Sequence, residues 1–236
     1  MSQQLITYTG DRRLALANGE AIRQPIWYSS WSRIRIGLLF SIDRNGSTSN
    51  ITGTPLLAFG LCSGTTNIFI SGTSDHVVGA KNINGTWTYN TSPVKYYASG
   101  SNNAYQGFKR VGTTITNASA SFNNNLLGWP EASVPVRNAM ILEITKGSPN
   151  FSMKFWSNNA TGAQTDVPDA AFEEAMIVDD MANVGSVSSI GGGTVDATAR
   201  TLAVDEGADG ALDHLFVYWE RVTQLFTFNI RHRKMA

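Results

Sequence analysis

The sequence contains a single cysteine, Cys62, among its 236 residues, so no disulfide can form within the chain. Cys62 closes the apolar run of residues 56–62, which favours a small buried side chain over a reactive thiol. Charge is scarce as well: charged residues make up 15% of the chain, and 18 Lys and Arg balance 18 Asp and Glu. Without net charge the chain has no overall attraction to nucleic acid, and we expect no nucleic-acid partner.

The sequence also has no apolar run approaching the ~18–20 residues that a membrane helix needs, so we expect no membrane insertion. The first residues, Met-Ser-Gln-Gln-Leu-Ile-Thr-Tyr, do not form a basic stretch followed by an apolar one, as a secretory signal would. We therefore expect synthesis in the cytoplasm without a secretion signal.

The common catalytic signatures are missing. The sequence has no G-x-S-x-G elbow, no phosphate-binding loop with Gly-Lys-Ser/Thr and no H-E-x-x-H. Its three histidines, His76, His214 and His232, are too scattered to suggest a metal cluster. Ser74, Asp75 and His76 are adjacent, but adjacent strand residues point to opposite faces, whereas a catalytic triad needs its members to converge.

Two pairs of carboxylates occur, Glu173 with Glu174 and Asp179 with Asp180. Glycoside hydrolysis needs two carboxyl groups roughly 5–9 Å apart that face one cleft. Neighbouring positions do not provide that arrangement, so a solvated helix face and a turn are the favoured interpretations. We therefore predict no catalytic residues and a protein that is not an enzyme.

What the sequence does have is period-two alternation of apolar side chains. In residues 33–42, Ile36, Leu38 and Phe40 share one face, while Arg35 and its alternate neighbours take the other. This pattern indicates a long strand with one strongly apolar face.

The late segment, residues 222–231, alternates in the same way. We predict that Phe226 and Phe228 are buried together with the apolar face of residues 33–42, on facing or adjacent strands.

Further strand-like segments are separated by Gly, Asn, Ser and Thr. They are residues 56–62, 67–70, 76–80, 85–89, 94–97, 109–115, 116–122, 140–145, 151–156, 195–204 and 212–221. Only residues 168–176 have a helical pattern, and so short a helix is expected to cover one end of the sheets. The sequence therefore predicts one domain, residues 1–236, that is all-β: a two-sheet antiparallel sandwich with one short helix.

Aromatic residues are the candidate contacts for a glycan or a protein partner, because flat amphipathic rings stack on sugars and anchor interfaces. These residues are Trp27, Tyr28, Trp31, Trp87, Tyr89, Tyr96 and Tyr97. Core packing is the alternative for most of the rings. Adjacent residues of a strand cannot share a face, so Tyr96 or Tyr97 is the best candidate for exposure.

An acidic loop is the candidate metal site. Asp205, Glu206, Asp209 and Asp213 lie among glycines, and such a loop can gather oxygen ligands for calcium. Gly207 occupies the second ligand position of an EF-hand loop, which excludes that motif, and a plain acidic turn is the alternative. No other cofactor is expected.

Over the whole chain, this pattern of strands and of Asn-, Ser-, Thr- and Gly-rich gaps resembles two groups of proteins. One is the jelly-roll domains of the concanavalin-like lectin type, and the other is the all-β proteins of phage tails and capsid exteriors. The second resemblance implies a structural or adhesive component of a phage virion or tail-like particle. The alternatives are a carbohydrate-binding lectin-like module that recognises cell-surface glycans, and a β-sandwich enzyme that cleaves glycans.

A surface with so little charge offers little repulsion to keep copies of the chain apart. Exposed sheet edges are also ready to pair unless something covers them. We therefore expect a homo-oligomer that also contacts other particle proteins, in which residues 2–8 or residues 231–236 touch a neighbour. A monomer with frayed ends is the alternative.

Overall fold

The computed structural model describes thirteen stretches of the chain. They are residues 4–11, 22–26, 31–43, 56–63, 76–82, 105–111, 114–118, 137–147, 150–158, 166–187, 194–203, 212–220 and 225–235. None of the helices in these stretches has the length and hydropathy that crossing a membrane requires.

Twelve strands account for most of the described residues. In chain order they are β1 (Gln4–Asp11), β2 (Ile22–Pro25), β3 (Arg33–Asp43), β4 (Leu56–Ser63), β5 (His76–Asn82), β6 (Tyr105–Val111), β7 (Thr114–Asn117), β8 (Asn138–Thr145), β9 (Asn150–Ser157), β10 (Thr194–Ala203), β11 (Leu212–Glu220) and β12 (Leu225–Met235). The α-helix α1 spans Asp169–Ile177, and a 3-10 helix spans Met181–Ser186.

The strands form two six-stranded sheets, and every pairing between the described strands is antiparallel. Sheet A has the order β1-β12-β3-β8-β9-β10, and sheet B has the order β2-β11-β4-β5-β6-β7. The two sheets share one apolar core, to which sheet A contributes Leu38 and Phe155 and sheet B contributes Phe59 and Leu215. The predicted all-β two-sheet sandwich with one short helix is therefore confirmed.

The alternation in β3 predicts its buried face correctly. Ile36, Leu38 and Phe40 are at most 1% exposed and belong to the core between the sheets. Phe226 and Phe228 lie on β12, which pairs with β3 along its whole length, so the predicted strand neighbourhood is confirmed. The burial of those two rings lies outside the described side chains.

Several strand boundaries differ from the sequence prediction. The predicted pair of strands at residues 109–115 and 116–122 is instead β6, which ends at Val111, and β7, which begins at Thr114. Gly112, a residue that favours turns, follows the end of β6 directly. The predicted strands at residues 67–70, 85–89 and 94–97 lie outside the described residues.

Helix α1 packs on the outer face of sheet A, whereas the sequence suggested that it covers one end of the sheets. Phe172 and Met176 of the helix form a second apolar cluster with Leu39 of β3, Ile141 of β8 and Trp156 of β9. All of these side chains are at most 2% exposed. The helix lies there because the outer face of sheet A is itself largely apolar and needs cover.

Candidate functional site

The described part of the predicted aromatic set is Trp31 alone. Its ring is 7% exposed and belongs to the core between the sheets, where Nε1 donates a hydrogen bond to the Leu212 carbonyl at 3.4 Å. The Lys146 ammonium group lies 4.3 Å from the ring centroid, a cation–π contact. Trp31 therefore packs in the core, which is the alternative to a contact with a glycan or a protein partner. Trp27, Tyr28, Trp87, Tyr89, Tyr96 and Tyr97 lie outside the described residues.

The candidate calcium loop is described only at its far end. Asp213 is exposed, and its Oδ1 lies 2.8 Å from Nδ1 of the neighbouring His214. Asp205, Glu206 and Asp209 lie outside the described residues. Within the stretches that the structure does describe, no three His, Cys, Asp or Glu side chains come together as metal ligands would.

One member of each carboxylate pair contributes to local structure. Glu173 is partly buried and forms an ion pair with Arg231 of β12, while Glu174 is exposed. Asp179 and Asp180 are exposed, and Asp180 Oδ1 accepts a hydrogen bond from the Ala182 amide at 3.1 Å, which caps the 3-10 helix. Cys62 is fully buried on β4, in agreement with the interpretation as a small core side chain.

A buried ion pair on the outer face of sheet A was missed by sequence reasoning. The Arg35 guanidinium donates to Glu143 Oε2 from Nε at 3.2 Å and from Nη2 at 2.7 Å. Its Nη1 donates to the carbonyls of Ala175 and Val178, at 3.0 and 2.6 Å, where helix α1 ends. Burial lowers the pKa of Arg35, and the hydrogen bonds to Glu143 oppose that shift.

The signal for this pair was present in the sequence. Arg35 alternates with isoleucine and leucine in a strand whose other face is apolar, and Glu143 interrupts the apolar run of β8. Charged residues are usually exposed, so the alternation alone does not indicate that these two positions are buried. The register pairs Arg35 with Glu143 directly, so the two charges share one face of adjacent strands.

Two further ion pairs share Arg137 at the start of α1. The Arg137 guanidinium lies 2.8 Å from Asp166 Oδ2 and 3.0 Å from Asp169 Oδ1. The hydrogen bonds from Arg137 lower the pKa of Asp166 and raise that of Arg137. These side chains are partly exposed, so they contribute less than the buried pair.

The four sheet edges are the remaining candidate for a functional surface, because a strand at an edge leaves main-chain donors and acceptors unpaired. Sheet A ends in β1 and β10, and sheet B ends in β2 and β7. Three of these edges carry features that discourage pairing with another chain. The protecting feature differs from one of these edge strands to the next.

Strand β2 has four residues, including Arg23 and Pro25, and proline cannot donate a ladder hydrogen bond. Strand β7 also has four residues, and its side chains at Thr114 and Thr116 are exposed. Strand β10 has a register shift between its charged residues Asp196 and Arg200. Short length, proline, charge and irregular register are the common ways in which natural proteins protect an edge.

Strand β1 has none of these features except one charge at its end. It runs for eight residues and pairs with β12 from Gln4 opposite His232 to Asp11 opposite Leu225 without a register shift. It contains no proline and no basic residue, and its one charge, Asp11, stands at its end. No described strand lies on its other side. Among the described strands, β1 is therefore the long, regular and unprotected edge.

The predicted basic tail does not project from the fold in the described residues. Arg231 to Met235 continue β12, which lies between β1 and β3. Of the two segments expected to touch a neighbour, the N-terminal one thus stands at an edge of the sheet and the C-terminal one stands inside it.

No protein-family model matches this chain. Comparison with curated proteins likewise finds no match.

Proposed function

We propose that this protein is a non-enzymatic structural or adhesive component of a phage virion or a related tail-like particle. The observation that supports the proposal most is the edge at β1, beyond which no described strand lies and where main-chain donors and acceptors can pair with a neighbouring protein. A particle protein must make such contacts repeatedly and in a fixed geometry. An edge strand held by a rigid sandwich provides both.

The rigidity of sheet A also supports the proposal. The sheet has a buried apolar cluster on each of its faces, and the Arg35–Glu143 pair ties β3, β8 and the end of α1 together. A sheet packed on both sides at its central strands is a firm support for its edge, and pre-organised surfaces bind with less loss of conformational entropy.

Mass spectrometry of purified particles tests this proposal. Particles from cells that make the chain are separated from soluble protein on a density gradient, and each fraction is digested and quantified. We expect the chain to follow the major particle proteins at a constant ratio. Recovery of the chain only among the free soluble proteins would contradict the proposal.

The purified chain separates the two alternatives. Binding to a defined glycan on an array, together with absence from particles, would favour the lectin-like module. Release of reducing ends from a glycan substrate would favour the glycan-cleaving enzyme. A Trp31→Ala variant is not a suitable probe for either, because that ring is part of the core.

A further inference from the structure

Positive charge is concentrated at one end of the outer face of sheet A. The register places Arg233 of β12, Arg35 of β3, Glu143 of β8 and Lys154 of β9 side by side across four adjacent strands. Arg33 precedes Arg35 by two residues on β3 and therefore lies on the same face. These five positions hold four cations and one carboxylate, in a chain whose formal charges balance.

The cations are close enough to act on one another. Arg233 lies directly opposite Arg35 in the register, and like charges directly opposite each other destabilise a sheet. Burial is the largest cause that lowers the pKa of Arg35, and the charges of Arg33 and Arg233 lower it further. The fold thus holds like charges together at a cost in stability, which a bound anion would offset.

The carboxylate within the row does not balance this charge. Glu143 Oε2 accepts both of its hydrogen bonds from Arg35, and the ion pairs between described residues do not join Glu143 to Lys154, its neighbour on β9. Neither Arg33 nor Lys154 belongs to any ion pair in the described part of the chain. Arg33 Nε is also buried without a hydrogen-bond acceptor among the described groups. The fold itself therefore leaves these two cations without a carboxylate.

Exposure distinguishes the cations that serve the fold from those that a partner can reach. Arg35 is 0% exposed and is held by Glu143 and the end of α1. Arg33, Lys154 and Arg233 are each partly exposed, and we call these three residues the basic row.

We propose that the basic row binds an acidic segment of a partner protein, whose carboxylates pair with Arg33, Lys154 and Arg233. The basic row lies on a face of sheet A and not at the β1 edge, so this inference goes beyond the proposed function and does not depend on it.

The size and composition of the basic row favour a protein segment over a nucleic acid. Four strands spaced about 4.8 Å apart span about 14 Å, which an extended segment of four or five residues can follow. Arginine pairs with carboxylates through two parallel hydrogen bonds and is enriched at protein interfaces. Domains that bind nucleic acid are usually basic as a whole, whereas this chain has no net charge.

Fluorescence anisotropy with a labelled hexaglutamate peptide, blocked at both ends, tests the inference on the full chain at low ionic strength. We expect the peptide to bind the unchanged chain. Arg33→Gln/Lys154→Gln should raise the dissociation constant about tenfold, because two ion pairs near the surface are lost. Arg33→Lys/Lys154→Arg keeps both charges and should bind within about threefold of the unchanged chain.

The control variant is Arg23→Gln/Arg137→Gln, which removes two positive charges away from the basic row. Arg23 is on β2 of sheet B, and Arg137 precedes β8 at the end of that strand opposite to Glu143. This variant should bind the peptide like the unchanged chain, which separates an effect of the basic row from an effect of net charge. Circular dichroism of all variants checks that the sandwich has formed.

Carbodiimide coupling locates the contact, because an activated carboxylate of the peptide forms an amide with an amine that it touches. Mass spectrometry of the coupled chain should place the peptide mainly on Lys154. Coupling mainly to lysines of sheet B would contradict the proposed position.

Three binding results would overturn the inference: no binding of hexaglutamate, an equal loss in the control variant and the basic-row variant, or no loss in either. Tighter binding of a six-residue oligothymidylate than of hexaglutamate would overturn the choice of a protein partner in favour of a nucleic acid. Absence of the chain from particles on the density gradient, with peptide binding intact, would contradict the proposed function alone.

Discussion

The two faces of sheet A are both buried, but they are built differently. On the inner face, Ile36, Leu38 and Phe40 of β3 meet the apolar side chains of sheet B. On the outer face, Arg35 and Gly37 of the same strand lie beneath helix α1. Apolar burial on the inner face is not directional and stabilises in proportion to the area removed from water. The outer face also buries apolar side chains of the helix, but it adds directed hydrogen bonds and a position without a side chain.

This difference suggests a division of roles. Two charges in a dry environment are stable only if each is paired and hydrogen-bonded, so the Arg35–Glu143 pair stabilises one position of α1 and penalises others. The inner core supplies the larger share of the apolar burial. Five experiments with substituted chains test these roles, beginning with the largest expected effects.

Phe40→Ala tests the inner face. Phe40 is 1% exposed in the core between the sheets, so its truncation should lower the free energy of unfolding by about 3–5 kcal/mol through lost transfer energy and a residual cavity. Urea unfolding measures the loss. Ile177→Ala, at the 45% exposed end of α1, is the control and should cost less than about 0.5 kcal/mol. A negligible loss at Phe40 would mean that the inner face is wrongly assigned.

Glu143→Gln tests the outer face. The change keeps the size of the side chain but leaves the Arg35 charge buried without its counter-ion, at an expected cost of about 3–4 kcal/mol. Asp169→Asn, which alters an exposed ion pair, should cost less than about 1 kcal/mol. Both are measured by urea unfolding.

A double-mutant cycle shows whether the pair acts as a unit. Arg35→Met/Glu143→Leu replaces both charges by apolar groups and should cost less than the sum of the two single substitutions, by about 1–3 kcal/mol. Additive costs would mean that the charges do not depend on each other, and that Arg35 acts mainly through the helix carbonyls.

His232 brings a titratable group to the largely apolar inner face. It pairs with Ile36 in the register and is 1% exposed, and burial lowers its pKa from 6.5 to about 4. The unfolded chain therefore binds a proton at pH values where the folded chain does not. This group's contribution to stability is complete above about pH 6.5, falls as the pH falls, and is lost near pH 4, a change of about 3 kcal/mol.

Urea unfolding of His232→Leu between pH 7.5 and 4 measures that contribution. The unchanged chain should lose about 3 kcal/mol more than the variant over this interval, since carboxylates affect both equally. Ile230→Val, a change on the same face without a titrating group, should shift stability by about 1 kcal/mol at every pH and leave the slope unaltered. Parallel pH profiles for the unchanged chain and His232→Leu would refute the assigned burial.

The inner face could be predicted from sequence because alternation is a local signal: Ile36, Leu38 and Phe40 recur at every second position. The outer face could not, because its chemistry depends on residues far apart in the chain. Arg35 meets Glu143 across 108 positions and the Val178 carbonyl across 143, and no spacing rule connects them. The edge at β1 could not be predicted either, because only the strand order of the sheet shows that one side of β1 has no described neighbour.

Gly37→Ala makes the smallest expected change and tests how closely the helix lies on the outer face. Gly37 is on a central strand, where glycine ordinarily weakens the sheet, but a Cβ atom there would overlap the Met176 sulfur and the Phe172 ring. Both contacts are ends of side chains that can shift, so the cost should be about 1–3 kcal/mol.

A second substitution decides the cause of that cost. Met176→Ala opens space above position 37, so the double variant Gly37→Ala/Met176→Ala should be more stable than additivity predicts, as determined by thermal and urea unfolding. Added stability in Gly37→Ala alone would mean that the helix does not rest on the strand. Additive losses would place the strain in the backbone of β3. Recovery in the double variant would locate it in the contact between β3 and α1, where the missing side chain lets the helix approach the sheet.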